Sequence, residues 1–254
     1  MPRSKERWEY ISAQLDKLDL PYERVDGVDA QMLSADEMSK YYSFAKNRKI
    51  FAKPLGIGEI GCYIAHVNCW HKVVEQNLDF GIILEDDVSL DGNFPDSIKF
   101  LSSNFSKWDF VLLHAETKKR LLYSFEADGG FILREFIRTS GGFMGYAVKR
   151  SIAEKLYKEI LPFGCTADTN SHLYYQYNVG VKSLFPPVVF HRAVPSDRIT
   201  DSHRVVRNFY PFARQVFQLK SYVGKLLYLA KRDGIKLFLK RIINLKSILP
   251  PKSL

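Results

Sequence analysis

A chain of 254 residues is long enough to bury a substantial core, and it suits one large domain or one domain with an appendage. Hydrophobic residues make up 46% of the chain and aromatic residues 14%, which excludes a disordered protein. The formal charge of +9 comes from residues 214–254, which hold ten Lys or Arg and one acid. A nearly neutral body with a basic tail is more typical of an anchor for something anionic than of a nucleic-acid-binding domain, so we expect no nucleic-acid partner.

The first half of the chain predicts helices that lead to a buried strand. Residues 4–18 place apolar side chains at helical spacing, and Ser34 and Glu37 form the capping-box pattern of a second helix. Residues 44–54 are basic and are predicted to form a loop. The glycine-rich residues 56–61 then open an amphipathic helix that delivers the chain to an apolar run.

The second half alternates predicted strands and helices, which indicates an α/β sheet with right-handed crossovers. Residues 108–113 and 141–148 are predicted strands, and a helix capped by Ser151 follows them. Residues 166–204 are rich in His, Tyr, Asp and Pro without a clear period, so we expect loops around an active site.

The chain from Ser221 onward predicts a basic amphipathic helix. Its apolar positions are Ile235, Phe238, Leu239 and Ile242, and Lys or Arg residues occupy the other face. Two placements stay open for this helix. It docks on the domain with a solvated basic face, or it lies against an anionic membrane with those apolar side chains in the interface.

The predicted compartment is the cytoplasm. The first residues are charged and lack the apolar core of a signal peptide, and no apolar stretch is long enough to span a bilayer. The three cysteines, Cys62, Cys69 and Cys165, are odd in number and include no CxxC pair. This pattern argues against a disulfide framework or a structural zinc site, so we expect reduced core cysteines.

An apolar run at residues 80–84 ends in three carboxylates, Glu85, Asp86 and Asp87. The run predicts a strand that is buried on both faces, as in a parallel sheet, and its end lies at the edge where α/β sheets bind ligands. Crowded carboxylates repel one another unless a hard cation neutralises them. The sharper hypothesis is therefore Mn²⁺ or Mg²⁺ bridging a nucleotide diphosphate, and the alternative is a solvated acidic turn.

Two of these segments together resemble glycosyltransferase family 25, the bacterial lipooligosaccharide galactosyltransferases and their relatives. They are GEIGCYIAH at residues 58–66 and ILEDDV at residues 83–88. Further matches at residues 108–112, 142–148 and 195–199 extend the similarity over roughly residues 4–200. The resemblance implies a GT-A-like, Rossmann-type mixed α/β sheet flanked by helices in residues 1–212, followed by a basic helical tail in residues 213–254.

The resemblance also implies roles for individual residues. Asp87 would bind the metal directly, and Glu85 would face the ribose or a metal-bound water, which makes this pair the expected metal ligands. For an inverting transfer a base must take the proton of the acceptor hydroxyl, and Asp168 is the leading candidate, with Glu59 as a second catalytic acid. The substrate-binding residues would be Glu85, Asp86, His66, Gly142 and Tyr146.

Structural alternatives accompany several of these roles. Asp168 could be an N-cap or loop carboxylate, and Glu59 could complement a helix dipole. His66 lies seven residues after Glu59, about two helical turns, so the two could share one face at the pocket edge. His66 could equally be a hydrogen-bonded core residue, and His191 could be a late metal or phosphate ligand or a structural histidine.

The implied activity is metal-dependent transfer of a hexose, galactose from UDP-galactose, onto a lipooligosaccharide or lipopolysaccharide acceptor at the inner face of the cytoplasmic membrane. One rival is a metal-dependent phosphohydrolase, which would need a second acidic or His cluster. Another is a non-enzymatic protein that binds anionic membranes through its tail. The family normally opens with an apolar strand before an Arg-rich turn, and residues 2–7 already match that turn. We therefore expect the first strand to be missing, so that the true start lies upstream or the enzyme is weak or inactive.

Overall fold

The computed structural model describes residues 5–51, 53–114, 121–126, 130–137, 141–192 and 212–244. The predicted family segment 195–199, the first four residues and the chain after Asn244 lie outside this described part. The helices are α1 Lys5–Lys17, α2 Ala35–Tyr41, α3 Phe44–Ile50, α4 Ile57–Glu75, α5 Phe94–Ser103, α6 Arg150–Glu159, α7 Ala167–Asn170, α8 Ala213–Asp233 and α9 Ile235–Asn244. The strands are β1 Phe80–Leu84, β2 Val88–Leu90, β3 Phe110–Leu112, β4 Leu121–Glu126, β5 Ile132–Phe136, β6 Gly145–Lys149, β7 Val181–Phe185 and β8 Val189–His191.

Six strands form one mixed sheet in the order β1-β6-β3-β7-β5-β4, and β2 and β8 form a separate antiparallel pair. Within the large sheet β3 and β7 are parallel, whereas every other neighbouring pair is antiparallel. The predicted mixed α/β sheet is therefore confirmed. The acidic strand was expected to lie among parallel strands, and this expectation is wrong. Strand β1 lies at an edge of the sheet and pairs with β6, which runs antiparallel to it.

Both faces of the sheet are covered by helices. In β3, Phe110 and Leu112 pack in the cluster formed with α4 and α6, whereas Val111 packs in the cluster formed with α1 and α5. The same alternation holds in β1, where Ile83 belongs to the first cluster and the half-buried Ile82 packs against the second. Both faces of β1 thus pack against core clusters, as predicted, although the face with Ile82 is only half-buried.

The capping signal in the sequence correctly predicted the start of α2. The capping signal of α3 was not recognised. The Ser34 side chain accepts a hydrogen bond from Glu37 N, and the Glu37 carboxylate accepts one from Ser34 N, which completes the capping box. The predicted loop after residue 43 is wrong, because Ser43 caps the seven-residue α3. Asn47 is buried there, and its amide donates to two backbone carbonyl groups. Because polar groups hold this short helix, its sequence has no apolar periodicity from which the helix could be predicted.

Three other boundaries differ from the sequence predictions. The strand expected over residues 141–148 begins at Gly145, and α6 begins at Arg150, so Ser151 lies inside the helix and does not cap it. The expected loops of residues 166–204 contain α7, a 3-10 helix and two strands. One of those strands, β7, lies between β3 and β5. The sequence did not predict β7, because the strand contains the polar residue Lys182. In the fold this amine is buried and donates to the Lys107 carbonyl group.

The basic tail is docked on the body. The described part of the tail consists of α8 and α9, and Gly234 with φ of 78° separates them. Phe238 of α9 is buried in a cluster with Leu229 of α8 and Ile137 beyond β5. The prediction that Phe238 lies in a membrane interface is therefore wrong, since its ring is already covered by the protein. Among the described residues, no helix is long and apolar enough to cross a bilayer.

Candidate functional site

The acidic triplet lies in the turn between β1 and β2. The backbone N–H of Glu85 donates to the Met144 carbonyl group at 2.8 Å, which ties the end of β1 to the loop before β6. The Asp87 carbonyl group accepts from Arg192 N at 3.1 Å, just after β8. Backbone contacts on both sides therefore hold the three carboxylates at the end of β1.

Asp87 is the least satisfied carboxylate of the triplet. Its side chain is 18% exposed, and its Oδ1 atom is buried without a hydrogen-bond partner. Burial raises the pKa of Asp87, and the charge of Glu85 adds to that rise, while Arg7 opposes it. A buried carboxylate oxygen without a donor is suited to a hard cation, so the residues present fit Mn²⁺ or Mg²⁺.

Two arginines that sequence reasoning did not identify contact the triplet, Arg7 through its side chain and Arg192 through its backbone N–H. Arg7 of α1 places Nη1 3.4 Å from Asp86 Oδ1 and 3.7 Å from Asp87 Oδ2. The guanidinium of Arg192 lies 3.8 Å from the centre of the Tyr10 ring, and its Nη1 atom is buried without a partner. The Arg-rich turn was a signal for Arg7, whereas nothing in the local pattern marked Arg192. The edge is therefore a mixed acidic and basic site.

His66 lies behind the triplet and is 5% exposed. Its Nε2 atom is 3.7 Å from Glu85 Oε1, and its Nδ1 atom is 3.0 Å from the Tyr146 hydroxyl group. Trp70 Nε1 donates to the same hydroxyl group at 3.0 Å. Burial lowers the pKa of His66, but the contacts with Cys62 and Glu85 outweigh burial and raise that pKa to about 9. Tyr146 is fully buried and therefore orients His66 from inside the protein.

Cys62 completes a small cluster with these side chains. Its sulfur, a His66 nitrogen and a Glu85 oxygen all lie within 4.8 Å of one another, and no other such group of three is found among the described residues. Cys165 is buried, Cys69 is half-buried and Cys62 is exposed, and all three are free thiols. The prediction of three core cysteines is therefore wrong for Cys62.

Glu59 caps the start of α4. Its Oε2 atom accepts from Gly56 N at 2.7 Å, and its Oε1 atom is 3.2 Å from Lys53 Nζ. Its contacts are therefore those of the capping alternative, whereas His66 faces Glu85. Glu59 and His66 were expected to share one helix face, but they contact different residues. The catalytic role of Glu59 stays a prediction.

Asp168 lies in the first turn of α7 and braces the loop before β6. Its Oδ2 atom accepts from Gly142 N at 3.3 Å, and Gly142 has φ of 90°, which favours glycine. On the other side of this loop, His114 Nε2 is 3.2 Å from the Gly141 carbonyl oxygen. Since the same loop contacts Glu85 through Met144, the fold brings Asp168 to the edge that carries the triplet. His114 was missed, although a polar residue at the end of a buried strand is a recognisable signal.

A cavity of about 400 Å³ lies elsewhere on the surface, at Arg24, Asn68 and His71. None of the predicted site residues lines it. The candidate functional site is therefore identified from its charged side chains, and this cavity is not part of it.

The fold and this edge define a class of protein. A mixed sheet flanked by helices, with acidic residues at the end of a sheet strand, is consistent with a Rossmann-like glycosyltransferase fold. A family model, glycosyltransferase family 25 (LPS biosynthesis protein), matches residues 1–170 of the 254. The chain belongs to glycosyltransferase family 25.

Several relatives are similar over part of the chain. A Haemophilus influenzae protein named "Putative glycosyltransferase" is 27% identical over 119 residues, which are 47% of this chain and 40% of the relative. Procollagen galactosyltransferase 1-B of Xenopus laevis is 28% identical over 116 residues, 43% of this chain and 19% of the relative. Inactive glycosyltransferase 25 family member 3 of Homo sapiens is 26% identical over 124 residues, 44% of this chain and 20% of the relative. The chain thus spans less than half the length of these relatives, and one of them is named as inactive.

Proposed function

We propose that this protein is a glycosyltransferase that uses Mn²⁺ or Mg²⁺ to transfer galactose from UDP-galactose, with inversion, to a lipooligosaccharide or lipopolysaccharide acceptor. Family membership supports the reaction class, and the name of one relative supports galactose as the sugar. The observation that carries the proposal is the buried, unpartnered Oδ1 atom of Asp87 at the end of β1. A cation at this place satisfies that oxygen and offsets the repulsion among three adjacent carboxylates.

The donor would be held by both acidic and basic groups. Asp87 and Glu85 would hold the metal ion, which supplies Lewis-acid stabilisation of the charge on the departing diphosphate. Asp86, paired with Arg7, would maintain the geometry of the turn. Arg7 contacts Asp87 through its guanidinium group and Arg192 contacts it through its backbone N–H. Both guanidinium groups would bind phosphate oxygens, since they match phosphate geometry.

The acceptor would be activated by Asp168. One oxygen of this carboxylate accepts the Gly142 N–H and the other accepts the Thr169 N–H, which fixes its orientation. A carboxylate has about four acceptor positions, so Asp168 can still take the proton of an acceptor hydroxyl group. Because the Gly142 loop also contacts Glu85 through its backbone, the base and the donor site would share one edge of the sheet.

We further propose that α8 places the enzyme on an anionic membrane. One face of α8, with Phe217, Lys225 and Leu229, is buried against the body. Successive residues of a helix are about 100° apart, so a second apolar stripe lies on roughly the opposite face. The exposed members of this stripe are Phe212, Val216, Leu219, Val223 and Leu227. Amphipathic helices bind bilayers through such an apolar face flanked by cations.

Charge complementarity favours lipid as the partner of this stripe. Lys220 and Lys231 of α8 and Lys236 and Lys240 of α9 are exposed, and Asp233 is the sole acid after residue 213. Each Lys or Arg near an anionic bilayer contributes about 1 kcal/mol of attraction. The sequence placed the apolar surface on α9, whereas the exposed stripe of α8 is the longer of the two. A site at the inner face of the cytoplasmic membrane would bring the transferase to a lipid-linked acceptor.

The deciding experiment is a donor screen. The melting temperature is measured with UDP-galactose and other UDP-hexoses, each with Mn²⁺ or with EDTA, and transfer of labelled galactose to lipooligosaccharide is then assayed. A ligand that binds only the native state raises the melting temperature, so a rise that requires both nucleotide and Mn²⁺ is expected. An equal rise in EDTA would remove the metal from the proposal. Release of phosphate without sugar transfer would favour the phosphohydrolase instead.

A further inference from the structure

A thiol, an imidazole and a carboxylate meet beside the proposed donor site. Cys62 and His66 are four residues apart on α4, so both side chains lie on one face of that helix. Glu85 comes from the end of β1, and its backbone is fixed by the hydrogen bond to Met144. The three potential ligand atoms lie within 4.8 Å of one another. Two separate elements of the fold are therefore needed to assemble this group.

The hydrogen bonds around His66 leave one nitrogen directed at the group. Trp70 Nε1 can only donate, so the Tyr146 hydroxyl oxygen accepts that bond. The same oxygen has a second acceptor position, which the Nδ1–H of His66 can use at 3.0 Å. Nε2 then faces Glu85 Oε1 at 3.7 Å, with a proton in the metal-free protein and with a free lone pair once that proton is released. Metal-binding histidines characteristically donate their other N–H to such a partner, which fixes the ring.

We propose that Cys62, His66 and Glu85 form a second cation site, which shares only Glu85 with the proposed Asp87 site and binds a zinc-class divalent ion through sulfur, nitrogen and oxygen. Thiolate and imidazole ligands select Zn²⁺ over Mg²⁺ or Mn²⁺, which prefer oxygen. On binding, Cys62 gives up its thiol proton and His66 gives up its Nε2 proton, both to solvent, so that the thiolate and the neutral imidazole bind the ion. This proposal is independent of the proposed transferase activity, because it concerns only the binding of an ion to these three side chains.

The burial of the three side chains suits an open site. His66 is almost fully buried and rigid, whereas Cys62 is exposed and Glu85 is 32% exposed. Tetrahedral coordination at about 2.0–2.3 Å places ligand atoms about 3.3–3.8 Å apart, so the exposed side chains must move inward by about 1 Å. Three protein ligands leave a fourth position for water or another ligand, as in catalytic zinc sites.

The test uses Co²⁺ as a spectroscopic substitute for Zn²⁺ on the full chain under reducing conditions. We expect one equivalent of Co²⁺ to produce a thiolate-to-cobalt charge-transfer band, and Zn²⁺ to abolish that band by displacement. The Cys62→Ser variant should lose the band and bind Zn²⁺ more than about 100-fold more weakly, since even outer partners of a zinc ligand are worth about 10–100-fold. Zinc affinity is measured by competition with a chromophoric chelator.

Two control variants distinguish this site from the neighbouring thiol and from the Asp87 site. Cys69→Ser removes a thiol of the same helix that lies outside the cluster, and it should keep the band. Asp87→Asn should also keep the band, so its behaviour separates this site from the proposed donor metal. Glu85→Gln tests a second ligand on a partly exposed side chain, and circular dichroism confirms that each variant is folded. A band that is absent in the wild type, or that persists in Cys62→Ser, would overturn the proposal.

Discussion

Arg232 of α8 forms a bidentate ion pair with Glu135 of β5, with Nη1–Oε1 at 2.9 Å and Nη2–Oε2 at 2.8 Å. Glu135 is fully buried, and Lys225 Nζ adds a second cation 3.5 Å away. Burial raises the pKa of Glu135, but the hydrogen bond from Arg232 and the charges of both cations outweigh burial and lower that pKa. Burial lowers the pKa of Lys225, whereas at Arg232 the contacts with Asp233 and Glu135 outweigh burial and raise the pKa. This pair fastens the basic tail to the sheet.

Replacing Glu135 should destabilise the whole protein. Glu135→Gln leaves Arg232 and Lys225 near a buried neutral amide, and removing one partner of a buried pair costs about 3–5 kcal/mol. Urea unfolding followed by circular dichroism measures this loss. The matched control is Glu154→Gln, whose pair with Lys158 is on the surface and should change stability little. Equal stability of both variants would show that α8 is not fastened by this pair.

The same pair predicts part of the acid dependence of stability. The pKa of Glu135 is lower in the folded protein than its ordinary value of 4.5, so its stabilising contribution is complete above about pH 4.5. The contribution is lost as the pH falls through the lower folded pKa. Thermal unfolding between pH 7 and pH 3 should therefore show a shallower acid decline in Glu135→Gln than in the wild type. Parallel declines in the two proteins would contradict the assignment.

Asp87→Asn should separate folding from metal binding. The pKa of Asp87 is raised by burial and by Glu85, so its charge is unfavourable without a cation. We expect the variant to unfold at a higher temperature than the wild type in EDTA at pH 7, and to lose the stabilisation by Mn²⁺ and UDP-galactose. Asp96→Asn, at an exposed surface pair with Lys99, is the control and should keep that stabilisation. A metal-dependent shift that survives in Asp87→Asn would move the metal site elsewhere.

Asp168→Asn should lower kcat, whereas Glu59→Gln should leave kcat almost unchanged. Asparagine at position 168 can still accept the Gly142 N–H but cannot take a proton, so kcat should fall by about 10²–10⁴-fold with little change in donor affinity. Glutamine at position 59 can still complete the capping box and should leave kcat close to the wild-type value. Steady-state transfer kinetics and isothermal titration with UDP measure both quantities. The reverse result would make Glu59 the base.

Charges on the exposed stripe of α8 should weaken membrane binding without unfolding the protein. Leu219 and Leu227 are 65% and 66% exposed, so Leu219→Glu with Leu227→Glu places two acids on that face without disturbing the core. Co-sedimentation with anionic vesicles should fall at least tenfold, while neutral vesicles bind little of either protein. The control is Leu78→Glu, an exposed leucine of the body. Unchanged binding to anionic vesicles would exclude this stripe as the contact surface.

Local signals in the sequence were sufficient for several elements of the fold. Apolar periodicity correctly predicted α1 and α4, and the Ser34 capping box correctly predicted α2. The helix α3 and the strand β7 were missed, because polar groups such as Asn47 and Lys182 are satisfied there by distant backbone carbonyl groups. In a local sequence pattern, polar residues such as these indicate exposed positions, whereas in the folded protein they are buried.

By itself the sequence determined the acidic strand end, the sheet class and the charge of the tail, because burial of apolar residues and local capping act over a few neighbouring positions. Only the tertiary structure decided that Cys62 meets Glu85, that Arg7 reaches Asp86 and that Arg232 pairs with Glu135. These charged and polar partners lie far apart in sequence, and many other pairings of the same residue types are equally compatible with the local pattern. The order of strands in the sheet selects among those pairings, because it fixes which strand ends and helix faces come within a few ångströms of one another.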